Sequence, residues 1–400
     1  MKLGIDRLLE DTNLRQDLKG RRVALLGHPA SVTCDTRHTL DALAACGDLR
    51  LTAAFGPQHG MRGDKQDNMI ESDDYVDPDL GLPVFSLYGK VRRPTPAMLD
   101  TFDVLLVDLQ DVGTRIYTFV TTLGYMLEAG AEHGKSVWVL DRPNPAGRPV
   151  EGTMLEPGWE SFIGVGPLTM RHGLTLGEFA RWYVAHQRLQ VDLRVIPMDG
   201  YQPDAPPGYG WPVFELPWVN PSPNASSLNM ARCFPGTVLF EGTTLSEGRG
   251  TTNSLELVGA PDVDFGRVLR RAEALAPQWL TGCRLRRCYF EPTFQKHKGK
   301  LCSGVQIHTD YAGYRPEAFH PYRLGALLLK ALRREYPDYP LWHRQPYEYE
   351  TERLAIDLLS GGPFLRQWVD EPGATPADFE ARLVRDERAW AEIRQPFLIY

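Results

Sequence analysis

Side chains suited to acid–base work and to gripping anions gather at three places in this chain, each just past a short apolar run. After Leu51–Phe55 the sequence breaks at Gly56-Pro57. It then delivers Gln58, His59, Arg62 and Asp64 within seven residues, among Gly60 and Gly63. Val104–Asp108 is followed in the same way by Gln110, Asp111, Arg115 and Tyr117, and Val137–Leu140 by Asp141, Arg142, Pro143 and Asn144. In a parallel α/β sheet, ligands bind in the crevice beyond the carboxyl ends of the strands. Three strand ends with the same polar ending therefore point to one site. Further along, Glu241 and Glu247 flank a turn rich in glycine and threonine that carries Arg249.

The elements that would position these groups can be read from periodicity. Arg22–Gly27 is a compact apolar run and Val104–Asp108 the clearest central strand. Between and after them, Thr36–Ala45 and Ile116–Glu132 carry helical spacing. This alternation predicts an α/β fold: a Rossmann-like, mostly parallel sheet with helices on both faces, over residues 1–149. Residues 150–400 read as an ancillary mixed α+β domain that closes a cleft over the first. Its expected elements include helices at Leu176–His186, Val263–Ala276, Tyr322–Glu335 and Ala377–Arg394, and strands at Leu193–Pro197, Thr237–Phe240, Arg284–Tyr289 and Gly304–His308. An irregular stretch from Tyr201 to Asn229, rich in proline and aromatic residues and containing Pro221-Ser222-Pro223-Asn224, has the character of a binding loop. Its Tyr209, Trp211, Phe214 and Trp218 could stack on a sugar face or pack between domains.

Bulk properties narrow the function classes. A net charge of −7 over 400 residues, with no basic cluster, gives no footprint for nucleic acid. No apolar run approaches the ~20 residues of a membrane span. The charged, amphipathic N-terminus lacks the apolar core of a signal peptide, so a cytoplasmic location is expected. The six cysteines form no CxxC pair and are expected as free, mostly buried thiols. Oligomeric state is left open.

Several chemistries lack their signatures. The position after the first strand reads Gly27-His28-Pro29-Ala30-Ser31-Val32, with one glycine where a dinucleotide fold carries GxGxxG. Residues 130–136, GAEHGKS, are one residue short of a phosphate loop and lie between helix and strand, the reverse of the required order. The ten histidines show no HExxH and no paired Cys/His spacing. His59 and His172 are thus read as structural or substrate-contacting rather than as ligands of a metal, and no metal or other cofactor is expected. There is no GxSxG nucleophile elbow. Carboxylates and arginines at strand ends suit glycoside hydrolysis, which needs a proton donor for the leaving oxygen and stabilisation of oxocarbenium-like charge. Candidate acids are Glu71, Asp108, Asp111, Glu241 and Glu247. Each also has a structural alternative: helix capping for Asp108 and Asp111, a solvated acidic loop for Glu71, and a salt-bridged loop for Glu241 and Glu247.

The strings FGPQHGMRGD (55–64), DVLLVDLQDVGTRIYT (103–118), VLDRPNPAG (139–147), RHGLTLGE (171–178), PSPN (221–224), FEGTTLSEGRGTT (240–252) and HKGKLCSGVQ (297–306) occur in that order, with shorter matches between them. In them the sequence closely resembles the NamZ-type exo-β-N-acetylmuramidases, glycoside hydrolase family 171, over nearly the whole chain. The resemblance implies a Rossmann-like domain plus an ancillary domain with the active site between them. It also implies release of N-acetylmuramic acid from the non-reducing ends of peptidoglycan fragments, with no metal or nucleotide. The family pattern reads FGPEHG, its glutamate being the proposed catalytic residue; Gln58 stands at that position here. An amide has no titratable proton. Three readings follow: an acid supplied from elsewhere, with Glu71 or Asp64 on the same loop as candidates; altered substrate or chemistry; or a protein that binds muropeptides without cleaving them.

The expected roles are these. Gln58 and His59 contact the sugar at the reacting centre, with Glu71 and Glu247 as candidate acid/base groups. Asp111, Arg115 and Tyr117 position the sugar, helped by Arg62, Asp64, Asn144, His172, Asn224 and Glu241. A cationic partner for the lactyl carboxylate is sought in Arg249, Arg142 and Arg62, in that order, because paired guanidinium donors fit a carboxylate.

Overall fold

The computed structural model describes residues 1–63 and 69–400. Its first half holds β1 (Arg22–Gly27), β2 (Arg50–Gly56), β3 (Tyr75–Val76), β4 (Pro83–Ser86), β5 (Val104–Asp108) and β6 (Ser136–Leu140). An antiparallel pair, β7 (Glu151–Met154) and β8 (Thr169–Arg171), follows, and β9 (Asp192–Ile196) then returns to the first sheet. These described strands make a seven-stranded sheet in the order β3-β4-β2-β1-β5-β6-β9, parallel except for β3. The sheet therefore takes an edge strand from beyond residue 149. Every residue of β5 and β6 is buried, as expected of central parallel strands covered on both faces.

The topology explains why polar side chains meet. The chain runs from β1 out to β2 and β4, then crosses back to β5 on the other side of β1, which makes the β1/β5 junction the switch point of the sheet. Leu26 pairs with Phe55 on one side and Val107 on the other, and Gly27 pairs with Asp108. The loops after β2 and β5 thus leave the same edge of the sheet side by side.

The second half has a three-stranded antiparallel sheet of β10 (Leu257–Ala260), β11 (Arg284–Phe290) and β12 (Cys302–His308), in the order β10-β12-β11. Helix Pro321–Glu335 is buried along nearly its whole length. It crosses helix Leu228–Thr237 so closely that a Cβ on Gly236 would lie 1.8 Å from the Pro321 carbonyl oxygen. Helix Pro376–Arg394 reaches back to the first half, where the Trp390 indole donates to the His172 carbonyl at 2.9 Å. Residues 237–240, expected as a strand, instead finish helix Leu228–Thr237 and open a 3-10 turn over Val238–Gly242. A short buried apolar run does not distinguish strand from helix by periodicity. The helix signal lies upstream, where the Ser227 hydroxyl accepts from the Met230 N–H at 2.9 Å. Cys233, Cys288 and Cys302 are buried and the other three cysteines half-buried; all six are free thiols.

His28, directly after β1, ties three segments together. It is fully buried; its Nε2 accepts from the Gln110 N–H at 2.8 Å and its Nδ1 lies 3.1 Å from the Pro221 carbonyl oxygen. Those partners require the neutral tautomer with the proton on Nδ1, which donates to Pro221. Burial, with the nearby Arg142 charge, pushes its pKa well down. The folded protein therefore stays unprotonated at His28 where the unfolded chain, with a histidine pKa of about 6.5, takes up a proton. Stability from this group is complete above that pH and declines below it. In urea unfolding of wild type and His28→Leu, the stability advantage of the wild type should shrink by up to ~1.4 kcal/mol per pH unit as pH falls below about 6.5. A constant difference between pH 7.5 and 5.5 would contradict this assignment.

Candidate functional site

Beyond the carboxyl edge of the sheet lies a pocket of about 500 Å³, its solvent-filled mouth included, with walls from both halves of the chain. Gln58 and His59 reach it from the loop after β2, and Ile116, Tyr117 and Thr118 from the loop after β5. The proline-rich stretch held by His28 supplies Ser222 and Asn224. Helix Leu228–Thr237 supplies Met230 and Phe234, the 3-10 turn Glu241, and the following loop Arg249 and Leu255. Tyr347 and Glu348 close it from the C-terminal side.

The second-half wall is built around charge. The Arg249 guanidinium donates to Glu241 Oε1 at 2.6 Å, and its Nε lies 3.3 Å from Glu247. Behind them the Lys296 ammonium donates to the carbonyls of Phe240 (2.8 Å), Glu241 (3.3 Å) and Leu245 (3.1 Å) and to Glu247 (2.9 Å). Burial works against the charge on Glu247, but Lys296 and Arg249 outweigh it and hold its carboxyl below the usual range. Glu241 Oε2 accepts from the Tyr347 hydroxyl at 2.6 Å.

The opposite wall is a chain of hydrogen bonds. The Thr118 hydroxyl donates to Gln58 Oε1 at 2.8 Å, which fixes the amide so that Nε2 donates to Glu348 Oε1 at 3.1 Å. Glu348 Oε2 accepts from the Tyr88 hydroxyl at 2.9 Å. Burial raises the pKa of Glu348 and the nearby Glu241 charge adds to it, while the bonds from Tyr88 and Gln58 oppose the rise. Glu348 and Tyr349 are the middle residues of a tight turn closed by paired backbone bonds between Tyr347 and Glu350, at 3.0 and 2.9 Å. Their φ values of 46° and 70° are ones that two-residue hairpins usually give to asparagine and glycine.

The expected site residues fall into two groups. Gln58, His59, Tyr117, Asn224, Glu241 and Arg249 all line the pocket. Glu247 stands one layer behind, as the counter-ion of Arg249 and Lys296, rather than as an acid/base group. Asp111 is also one layer back: its Oδ2 accepts from the Gly113 N–H at 2.6 Å and lies 3.5 Å from His172 Nε2. His172 is fully buried, and its Nδ1 accepts from the Leu174 N–H at 3.1 Å. Arg142 pairs with Asp108, with Nη2 3.1 Å from Oδ2, and lines a separate small cavity with Gln110 and Trp211. Asn144 shapes its own turn through bonds with Leu174 and Ala146. Arg115 is wholly buried and donates to the carbonyls of Thr153 (2.8 Å), Leu168 (3.0 Å) and Leu359 (2.9 Å). Arg62 pairs with Asp77 at 3.0 Å and Asp41 at 3.5 Å. Glu71 is exposed, bonded to the Tyr349 hydroxyl at 2.9 Å and paired with Arg92 at 3.3 Å, contacts that hold its carboxyl below the usual range. Asp64 lies outside the described residues. None of the four aromatics of the proline-rich stretch lines the pocket: the Trp211 and Trp218 rings pack 5.0 Å apart, Tyr209 packs on Tyr314 at 6.2 Å, and Phe214 is exposed.

Glu348, Tyr347, Thr118 and Tyr88 escape the sequence reading. The stretch around Glu348 has no strand end, glycine pair or periodicity to mark it, and its partners lie 290 and 260 residues away. Among the described residues no group of three or more His, Cys, Asp or Glu side chains could hold a metal ion.

The chain matches the family description "exo-beta-N-acetylmuramidase NamZ, N-terminal" over residues 23–229 and "NamZ, C-terminal" over 232–400. It is 37% identical, over 402 aligned positions, to the peptidoglycan β-N-acetylmuramidase NamZ of Bacillus subtilis, covering 100% of this chain and 91% of that protein. Two solved DUF1343 family proteins of Bacteroides fragilis share the fold. One superposes with a TM-score of 0.85 at 30% identity and the other with 0.75 at 27%, each over 100% of this chain and 98% of theirs.

The contacts of Arg115 give it a tie-bar role that mutation separates from ligand binding. Replacement by methionine leaves three buried carbonyls without a donor, at roughly 1–3 kcal/mol each. The urea midpoint of Arg115→Met should fall by an amount equivalent to ~3 kcal/mol or more. A variant of wild-type stability with weakened sugar binding would return Arg115 to the ligand site.

Proposed function

The chain belongs to the exo-β-N-acetylmuramidase NamZ family, and from that membership we propose that it hydrolyses the terminal β-N-acetylmuramoyl bond of peptidoglycan fragments in the pocket between its two halves. The observation that carries this reading is the composition of the pocket wall. It brings aromatic and aliphatic faces together with two carboxylates, one guanidinium and several neutral hydrogen-bonding groups. An amino sugar needs such a mixture: apolar surface for its C–H faces, and directed polar groups for its hydroxyls and acetamide.

N-acetylmuramic acid differs from N-acetylglucosamine by a lactyl ether, whose carboxylate asks for a fixed cation. Arg249 is the only Arg or Lys among the described residues lining the pocket. Glu241 and Glu247 stabilise its charge, and the partly engaged guanidinium still faces the cavity. Hydrolysis asks in addition for a carboxyl that can hold a proton near neutral pH, and for negative charge facing the developing oxocarbenium centre. Glu241 and Glu348 are the carboxylates that the described lining offers.

Release of 4-nitrophenol from 4-nitrophenyl β-N-acetylmuramide, with no turnover of the matching N-acetylglucosaminide, is the expected result. Arg249→Lys keeps the charge but loses the paired donors. It should lower kcat/KM for the muramide about ten- to a hundredfold, the value of one or two charged hydrogen bonds. Saturable binding of N-acetylmuramic acid by the wild type without any turnover would replace the hydrolase with a muropeptide-binding protein.

A further inference from the structure

Two carboxylates face the pocket, and their surroundings are opposite. Both oxygens of Glu241 are taken, one by the Arg249 guanidinium and one by the Tyr347 hydroxyl, each at 2.6 Å. That carboxylate is ion-paired. Glu348 meets only neutral donors, the Gln58 amide at 3.1 Å and the Tyr88 hydroxyl at 2.9 Å. It is half-buried, and no ion pair with a Lys or Arg of the described residues compensates it. An unpaired carboxyl in such a place favours its neutral form. Pairs of carboxyls whose environments push them apart are the usual arrangement for acid and anion in one site.

The backbone carries a second sign. Glu348 and Tyr349 both occupy left-handed conformations, which side chains of this kind adopt at a cost. Asparagine and glycine would make the same turn with less strain. Holding a glutamate there brings its carboxyl against the Gln58 amide.

Resting on the hydrolase reading above, we propose that Glu348 is the proton donor to the glycosidic oxygen, and that Gln58 is the positioning residue that holds it. Glu348 gives its proton to that oxygen as the bond to the anomeric carbon breaks and both bonding electrons stay on the oxygen. Water then adds to the anomeric carbon, and the proton it releases restores a protonated Glu348, directly or through solvent. Gln58 transfers no proton; Thr118 orients its amide so that the Nε2–H side meets the Glu348 carboxyl.

The test uses the full chain and two substrates. The disaccharide MurNAc-β-1,4-GlcNAc has a leaving group that needs protonation, whereas the nitrophenolate of the aryl muramide leaves nearly unaided. Glu348→Gln should lose 10²- to 10⁴-fold in kcat on the disaccharide, the usual contribution of a general acid. It should lose less than about tenfold on the aryl substrate, with KM little changed. Equal losses on both substrates, or a loss below tenfold on the disaccharide, would overturn the assignment.

Gln58→Leu supplies a second measurement should Glu348→Gln fold poorly. The charged and titratable groups around Glu348 are Tyr88 and Arg92 on one side and Glu241 and Tyr347 on the other. Removing the amide takes away a donor that favours the carboxylate, so the alkaline limb of the disaccharide kcat profile should move to higher pH. An unmoved limb counts against Glu348 as the acid. If the wild type itself turns over neither muramide, it is the hydrolase reading that fails, a result distinct from both of these.

Discussion

Arg249 enters the pocket wall with its charge already balanced. Glu241 and Glu247 flank it, and Lys296 answers the second carboxylate from behind while gripping three backbone carbonyls. Three buried charges and a half-buried one are tolerable only as a set, because deleting one leaves its partner's charge unpaired. The glycine- and threonine-rich loop from Glu241 to Arg249 is consequently fixed where those charges require it. The His297 ring, 2.8 Å from the Thr244 carbonyl, adds to the same clamp. The position of the pocket's cationic group is set by this electrostatic closure more than by local packing.

The other wall obeys a topological rule. Parallel strands that leave β1 in both directions bring the loops after β2 and β5 together at one edge, and the polar residues gathered there are a consequence of that edge. What the loops contribute differs residue by residue. Gln58, His59, Tyr117 and Thr118 face the cavity; Asp111 sits behind it beside His172, and Arg115 is wholly buried. A strand end supplies both the groups that meet a ligand and the groups that brace them.

This division sets what can be read from sequence. The parallel sheet was legible because β1, β5 and β6 are continuous apolar runs, a pattern that buried central strands require. The Glu241–Arg249 turn was legible because two glutamates and an arginine lie close together in a glycine- and threonine-rich stretch. The separation of Arg249 from Arg115 and Arg142 was not. All three follow the same local cues, and only tertiary contacts show that Arg115 serves carbonyls and Arg142 serves Asp108. Residues 237–240 were misread because an apolar run of four has no period of its own. Glu348 had no local cue, since its environment is built wholly by residues far away in the chain.

That distance bears on how the protein is born. The β-sheet closes with β9, so its strands can pair while the ribosome is still adding the second half. Gln58 then waits for a partner synthesised some 290 residues later, near the end of translation. Domains emerging from the ribosome generally fold as units, N-terminal first. A truncated or stalled chain would thus carry half of a sugar pocket and no Glu348 opposite its amide. The pocket wall is complete only when those last segments arrive.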